Sequence, residues 1–248
     1  MILQLNNIEF SFGERVILND LSLFLETHNI YTLMGGNGSG KTTLFNLVTG
    51  FLRTGKGEIL FNNKAISNQP SYKINRLGIG RTFQDLRLVT KLTVKENIIL
   101  AMKNNPTDLW VKGLLPPSIF KNDIFRLESK AEQIIEEYYL SDVKTSLAGE
   151  ISYGQQKLLN LACCIANDAS LLLLDEPVAG INPEYRKRMI ILLKKLKEQG
   201  KTILLIEHNT EFIEGVSDKI FFLSDGKLTG YNSIEELRND SIVMKAYF

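Results

Sequence analysis

Gly35-Gly-Asn-Gly-Ser-Gly-Lys41-Thr42 decides how this chain is read. It fits the pattern G-x-x-x-x-G-K-[ST], in which small residues let a phosphate approach backbone N–H groups closely. Its surroundings are those such a loop needs. Ile30-Tyr-Thr-Leu-Met34 is a compact apolar strand leading in, and Lys41–Val48 has helical composition and stops at Gly50. After Gly35, the backbone N–H groups of Gly36, Asn37, Gly38, Ser39, Gly40 and Lys41 then form a concave anion site, reinforced by the positive end of the following helix. Lys41 is placed to reach the β- and γ-phosphates of a nucleotide. The Thr42 hydroxyl is placed to ligate Mg²⁺, with Thr43 next to it.

Far downstream, Leu171-Leu-Leu-Leu-Asp175-Glu176 reads as a buried strand with two carboxylates at its tip. The first can hold a Mg²⁺ shell and the second can polarise a water. Alone, an apolar strand ending in Asp-Glu is common; after a phosphate loop it points to nucleotide hydrolysis. The sequence has no Asn-Lys-x-Asp, so a GTPase would lack its guanine reader.

Between these landmarks the pattern changes twice. Leu3-Gln-Leu-Asn-Asn-Ile-Glu-Phe alternates loosely, Gly13-Glu14 marks a turn, and Leu21-Ser-Leu-Phe-Leu resumes the alternation. Glu58-Ile-Leu-Phe before Asn62-Asn63 is another strand and turn. From about Leu86 to Ala169 helical signals take over. Thr93-Val-Lys-Glu96 is a capping box opening a helix to about Met102, 104–122 is an irregular connection, and Ile124, Leu127, Ala131, Ile134, Ile135 and Tyr138 recur at helical spacing. Strand and helix then alternate again: Leu171–Leu174, a helix capped by Asn182-Pro183 to about Glu198, Thr202–Ile206, a hairpin at Asp225-Gly226 and a closing helix capped by Ser233. The expected class is α/β, a P-loop NTPase core interrupted by an inserted α-helical subdomain over 86–169, with 1–85 and 170–248 forming the core.

Bulk properties bound the remaining choices. A chain of 248 residues with 44% hydrophobic and 23% charged residues is globular and needs no staples. Its net charge of +1 gives no reason to expect nucleic acid, and Arg186-Lys-Arg188 with Lys194, Lys195 and Lys197 reads as the solvated face of a helix whose buried stripe is Ile190, Leu193 and Leu196. The N-terminus does not read as a secretory signal, and no apolar run reaches the ~18 residues a membrane span needs, so a cytosolic setting is expected. Cys163 and Cys164 are adjacent on a helical stretch and read as buried thiols.

Ile151-Ser-Tyr-Gly-Gln155 resembles the Leu-Ser-Gly-Gly-Gln signature of ATP-binding-cassette (ABC) proteins. Gln84 after Arg81-Thr-Phe is similar to that family's glutamine loop, and His208 after Leu204-Leu-Ile-Glu to its switch histidine. Gly78-Ile-Gly-Arg-Thr-Phe-Gln-Asp-Leu-Arg-Leu, Ser152-Tyr-Gly-Gln-Gln and the ending Met244-Lys-Ala-Tyr-Phe resemble, more narrowly, the ATPase subunits of branched-chain amino-acid importers. The resemblance implies an ABC ATPase fold with an N-terminal antiparallel β subdomain, and ATP and Mg²⁺ as ligands. Phe12 would stack on adenine beside Val16, although Phe12 also reads as plain core. Thr42, Gln84 and Asp175 would hold Mg²⁺, Glu176 would be the general base, and His208 would meet the γ-phosphate along with Lys41. Ser152, Tyr153, Gly154 and Gln155 would engage ATP held by a second subunit.

Two positions depart from the family pattern: Tyr153 stands where glycine is usual, and Asn182 where many cassettes have aspartate. Implied partners are a second ABC ATPase subunit, identical or not, and integral-membrane permease subunits that hold the chain at the inner face of the cell membrane. Leu86 to Leu92 reads either as a groove for a permease helix or as ordinary core. Rival readings are a cassette ATPase that works without a membrane, as in iron–sulfur assembly, and the ATPase of a urea importer or a lipopolysaccharide exporter.

Overall fold

Loose apolar alternation buries one face of a strand, and the N-terminus folds accordingly as an antiparallel pair. The computed structural model describes residues 1–103, 121–241 and 243–244. β1 (Leu3–Phe12) turns at Gly13-Glu14 into β2 (Arg15–Leu25), with Leu3 opposite Leu25 and Phe12 opposite Arg15. β3 (Ile30–Met34) is buried at every residue and leads through the glycine-rich loop into α1 (Lys41–Val48). β4 (Lys56–Phe61) and the two-residue β5 (Lys64–Ala65) join the first pair in a sheet of order β2-β1-β4-β5. α2 (Ser71–Leu77) and β6 (Ile79–Arg81) follow; both are too short for periodicity to announce them.

Helices dominate the next stretch, as expected. α3 (Val94–Ala101) opens on the Thr93 capping box: Glu96 N–H donates to Thr93 Oγ1 at 3.2 Å and Thr93 N–H to Glu96 Oε2 at 2.8 Å. α4 (Lys121–Glu137) turns Ala131, Ile134 and Ile135 into the core, and α5 (Tyr153–Ala166) starts at the signature stretch. Most of the irregular connection read over 104–122 lies outside the described residues, as do the last four residues of the Met244–Phe248 ending. β7 (Leu171–Asp175), α6 (Pro183–Glu198), β8 (Thr202–Ile206), α7 (Thr210–Val216), β9 (Lys219–Ser224), β10 (Lys227–Tyr231) and α8 (Ile234–Arg238) complete the described chain. Cys164 is buried in the core while Cys163 is only partly buried beside it, so one of the two expected core thiols stands at the core's margin; burial pushes both thiols up to about 12.

The second sheet has the order β10-β9-β3-β8-β7-β6, parallel from β9 to β6 with β10 antiparallel at the edge. Its central strands send successive residues to opposite cores. Leu172, Leu174, Ile203 and Leu205 meet α3 to α6, whereas Leu171, Leu173, Leu204 and Ile206 meet β1, β2 and α1. Cover on both faces is the reason these strands are unbroken apolar runs. The helices of 94–166 thus share one continuous core with a face of the sheet.

Asn97, buried on α3, ties down the chain entering that helix. Its Nδ2 donates to the carbonyls of Val89, Leu92 and Thr93 at 3.1, 3.2 and 2.9 Å, and its Oδ1 accepts from Val89 N–H at 2.9 Å. Asn97→Leu is expected to lower the unfolding free energy by ~2–4 kcal/mol, because buried polar groups lose their partners. Denaturant melts check this, and an unchanged midpoint would show that other contacts anchor the loop.

Candidate nucleotide site

Parallel strands present their carboxyl ends on one side, and strand order decides which loops become neighbours there. The glycine-rich loop follows β3, His208 follows β8, Asp175-Glu176 end β7 and Gln84 follows β6. Leu33 and Asp175 both lie in register with Ile206, which levels the ends of the three central strands.

The loop is built for an anion. At Gly40 φ is +107°, and a Cβ would stand 2.9 Å from Ile17 Cγ2, so a glycine is required where the loop closes onto β2. α1 has no side-chain cap and no acid in its first turn, which leaves its leading N–H groups and positive dipole to a ligand. Ser39 Oγ is buried without a hydrogen-bond partner among the described residues, a vacancy that a phosphate oxygen would fill. Lys41 is only 8% exposed, and its Nζ donates to the carbonyls of Gly35 at 2.8 Å and Gly36 at 2.9 Å. Burial lowers its pKa, while the nearby Glu176 and Asp175 charges oppose that shift.

Beside the loop lies a cavity of about 280 Å³ lined by Phe12, Arg15, Ile17 and residues from Gly38 to Thr43. A neighbouring one of about 410 Å³ is lined by Val16 together with Gly38, Ser39 and Gly226. Phe12 is 55% exposed and Val16 61%, so Phe12 is not core. Its ring meets Phe10 edge-on at 4.8 Å between centroids and leaves a face for a planar base.

Asp175 is buried, which raises its pKa, and Arg81 beside it is the main opposing influence. The Arg81 guanidinium lies 3.7 Å from Asp175 Oδ2 and also donates to Asn46 Oδ1 at 2.7 Å and Thr49 Oγ1 at 3.0 Å. Thr82 Oγ1 accepts from Asp175 N–H at 3.1 Å. Glu176 has φ +47°, rare for a residue with a side chain, and its Oε1 stands 3.7 Å from His208 Nε2. Gln84 is exposed two residues past Thr82 and bonds to neither carboxylate.

Two residues without an assigned role from sequence turn out to organise the site. Arg81 is one. Glu207 is the other: buried, it accepts from Val178 N–H at 3.1 Å through Oε1, and from His208 N–H at 2.8 Å and Asn209 N–H at 3.1 Å through Oε2. It therefore locks the loop after Glu176 to the loop bearing His208. The signal available for both was a charge at the end of an apolar strand.

The signature stands apart. Ser152 caps α5 in a reciprocal box, accepting from Gln155 N–H at 3.4 Å while Ser152 N–H donates to Gln155 Oε1 at 2.9 Å. Neither cavity beside the phosphate loop is lined by residues 152–155. A Cβ on Gly154 would fall 2.5 Å from the Tyr185 ring, so packing within the chain already demands glycine there. Tyr153 is exposed and its ring lies beside Gly180, which gives this departure from the family pattern a place in the fold. Asn182 caps α6, its Oδ1 accepting from Tyr185 N–H at 3.0 Å, as the sequence suggested.

Residues 18–179 match the ABC transporter family model. The chain is 34% identical, over 99% of its length and 97% of the relative's, to the high-affinity branched-chain amino acid transport ATP-binding protein LivG of Salmonella typhimurium. It is 33% identical, with the same coverage, to the corresponding protein BraF of Pseudomonas aeruginosa. Among solved structures, a nucleotide-free ATP-binding cassette from an ABC transporter superposes with a TM-score of 0.84 at 31% identity, covering 100% of this chain and 98% of that one. An ATP-binding cassette in its ADP conformation gives 0.84 at 30% identity, covering 99% and 98%.

Glu207→Gln turns one acceptor oxygen into a donor facing N–H groups. It is expected to destabilise the fold by ~1–3 kcal/mol and to slow ATP turnover more than it weakens ADP binding. Thermal melts and steady-state rates check this; unchanged turnover would remove Glu207 from the site.

Proposed function

We propose, from the premise that this chain belongs to the ABC transporter family, that it is the ATP-binding and ATP-hydrolysing subunit of an importer of branched-chain or similar amino acids. The observation that carries the reading is an incomplete site: Lys41, Asp175, Glu176 and His208 gather at one sheet edge, while the signature cap of the same chain takes no part in either adjoining cavity. End-to-end similarity to amino-acid transport ATPases supports the substrate class.

Phe12 and Val16 receive the adenine, and the N–H groups of Gly36 to Lys41 with the Lys41 ammonium hold the phosphates. Thr42, Gln84 and Asp175 offer hydroxyl, amide and carboxylate oxygens, a hard donor set that fits Mg²⁺ carried in on a nucleotide. When bound, that ion neutralises charge on the phosphates. Glu176 takes the proton of the attacking water, and His208, beside the Glu176 carboxylate, contacts the γ-phosphate. A second cassette subunit, identical or not, supplies Ser152, Tyr153, Gly154 and Gln155 to this ATP, as this chain does in return. Ser152 Oγ accepts from Gln155 N–H within its own helix and shares a long 3.5 Å contact with the Tyr185 hydroxyl, which a phosphate oxygen would displace, and the α5 N-terminus favours the γ-phosphate. ATP then has contacts in the closed dimer that the open one lacks, and hydrolysis removes them. In this scheme 86–169 acts as the helical subdomain and 1–85 with 170–248 as the catalytic core.

No helix among the described residues is long and apolar enough to cross a membrane, so the transport path belongs to separate integral-membrane subunits, which hold the chain at the inner face of the membrane. Within Leu86–Leu92, Leu88 packs against the main core while Val89 is exposed, so that stretch is partly core and partly surface. A better docking surface is the cavity of about 290 Å³ lined by Phe51, Tyr72, Ile79 and Phe83, which has the aromatic walls a partner's cytoplasmic helix would fill.

Glu176→Gln is expected to bind ATP, to hydrolyse it ~10²–10⁴-fold more slowly, and to accumulate as a dimer by light scattering. A variant that stays monomeric with ATP would count against the shared site. Tyr72→Asp, at a residue 57% exposed, is expected to weaken recruitment to permease-containing vesicles by about tenfold or more while the free chain keeps its ATP turnover. Full recruitment would move the docking surface elsewhere.

A further inference from the structure

One buried cation has no place in the chemistry above. Lys157 lies one turn into α5, is 4% exposed, and donates from Nζ to the backbone carbonyl of Glu176 at 2.9 Å. An ammonium is seldom buried without a specific partner, and here the acceptor is the main chain of the proposed base. The backbone of Glu176 is held at both its N–H and its C=O in the left-handed conformation. Glu176 N–H donates to Ile206 O at 3.0 Å, while Glu176 O accepts from Lys157 Nζ and, at 3.3 Å, from Ala179 N–H. Backbone orientation at Glu176 in turn sets where its carboxylate stands relative to His208.

The same side chain reaches toward the signature. Tyr153 and Lys157 are four residues apart on one helix face, and Nζ sits 5.6 Å from the Tyr153 ring centroid. Tyr153 is exposed beside Gly180, so an unbroken line of contact runs from the signature surface through Lys157 to Glu176.

The geometry points to Lys157 as a positioning residue: through the Glu176 carbonyl it fixes the base, and it makes the base of one nucleotide site follow the helix that reads the other. This rests on the roles given above to Glu176 and the signature. In a two-fold dimer, the chain that supplies Glu176 to one ATP closes its signature on the second ATP. Movement of α5 on filling the second site is therefore passed to the first through one hydrogen bond. The buried lysine is the rigid link, and no new contact with either nucleotide is needed.

A double-mutant cycle tests the link. Lys157→Met removes the donor and keeps the apolar stem; Lys157→Gln is polar but one bond too short to reach the carbonyl. In the full-length chain each is expected to lower the single-turnover rate of bound ATP by about 10²-fold, the effect of a misplaced catalytic group, with ATP affinity and ATP-driven dimerisation retained. Combined with Glu176→Gln, each is expected to add little further loss, because a residue that acts through the base has nothing left to position. Losses that multiply in the double variants, or single variants with unchanged rates, would overturn the proposal. A Glu176→Gln chain that hydrolyses ATP normally would instead sink the assignment of the base, a separate failure. If Lys157→Met cannot be purified, Lys157→Gln alone completes the cycle.

Discussion

Parallel pairing of β3, β8, β7 and β6 is the constraint on which the other features rest. A parallel strand inside such a sheet needs cover on both faces, so the helices between strands are obligatory, and the two cores that flank Leu171–Asp175 and Thr202–Ile206 follow. The same pairing sends every carboxyl end to one edge. Phosphate loop, paired carboxylates and histidine meet there because β3, β8 and β7 are adjacent, whatever their separation along the chain.

Crowding charges at that edge has a price in hydration, and the protein offsets it with local partners. Burial raises the Asp175 carboxyl and lowers the Lys41 ammonium, each disfavouring the charged form. Arg81 opposes the first shift, and Asp175 with Glu176 opposes the second. Phe45, Phe51 and Phe83 surround the Arg81 guanidinium, and the two hydrogen bonds to Asn46 and Thr49 fix its direction. Lys41, Arg81 and Asp175 are therefore each tied to the fold by specific partners.

The signature residues have structural roles within their own chain. Ser152 and Gln155 close a helix cap, and Gly154 clears the Tyr185 ring, so three of its letters are already explained within the chain. A helix start held this firmly also has the rigidity that an anion-binding helix end would need. Local stability alone thus accounts for the residues that the proposed function also uses in trans.

The phosphate-loop pattern needs consecutive N–H groups, glycine at positive φ and a helix start, all within eight residues, so Gly35 to Thr42 showed that pattern openly in the sequence. The capping boxes at Thr93 and Ser152, the Asn182-Pro183 helix start and the unbroken runs at β3, β7 and β8 were legible for the same reason: their physics is local or periodic. Arg81, Glu207, Lys157 and Tyr185 were silent. Their partners lie far along the chain or are main-chain atoms, and a charged letter in a sequence does not say whether it will face water or a buried carbonyl. The sequence by itself determined where a glycine-rich loop opens a helix and which carboxylates end a buried strand. Tertiary structure alone decided which charges neutralise one another, that Phe12 is exposed, and that the signature helix touches the Glu176 backbone, since these depend on packing distances that no linear pattern encodes.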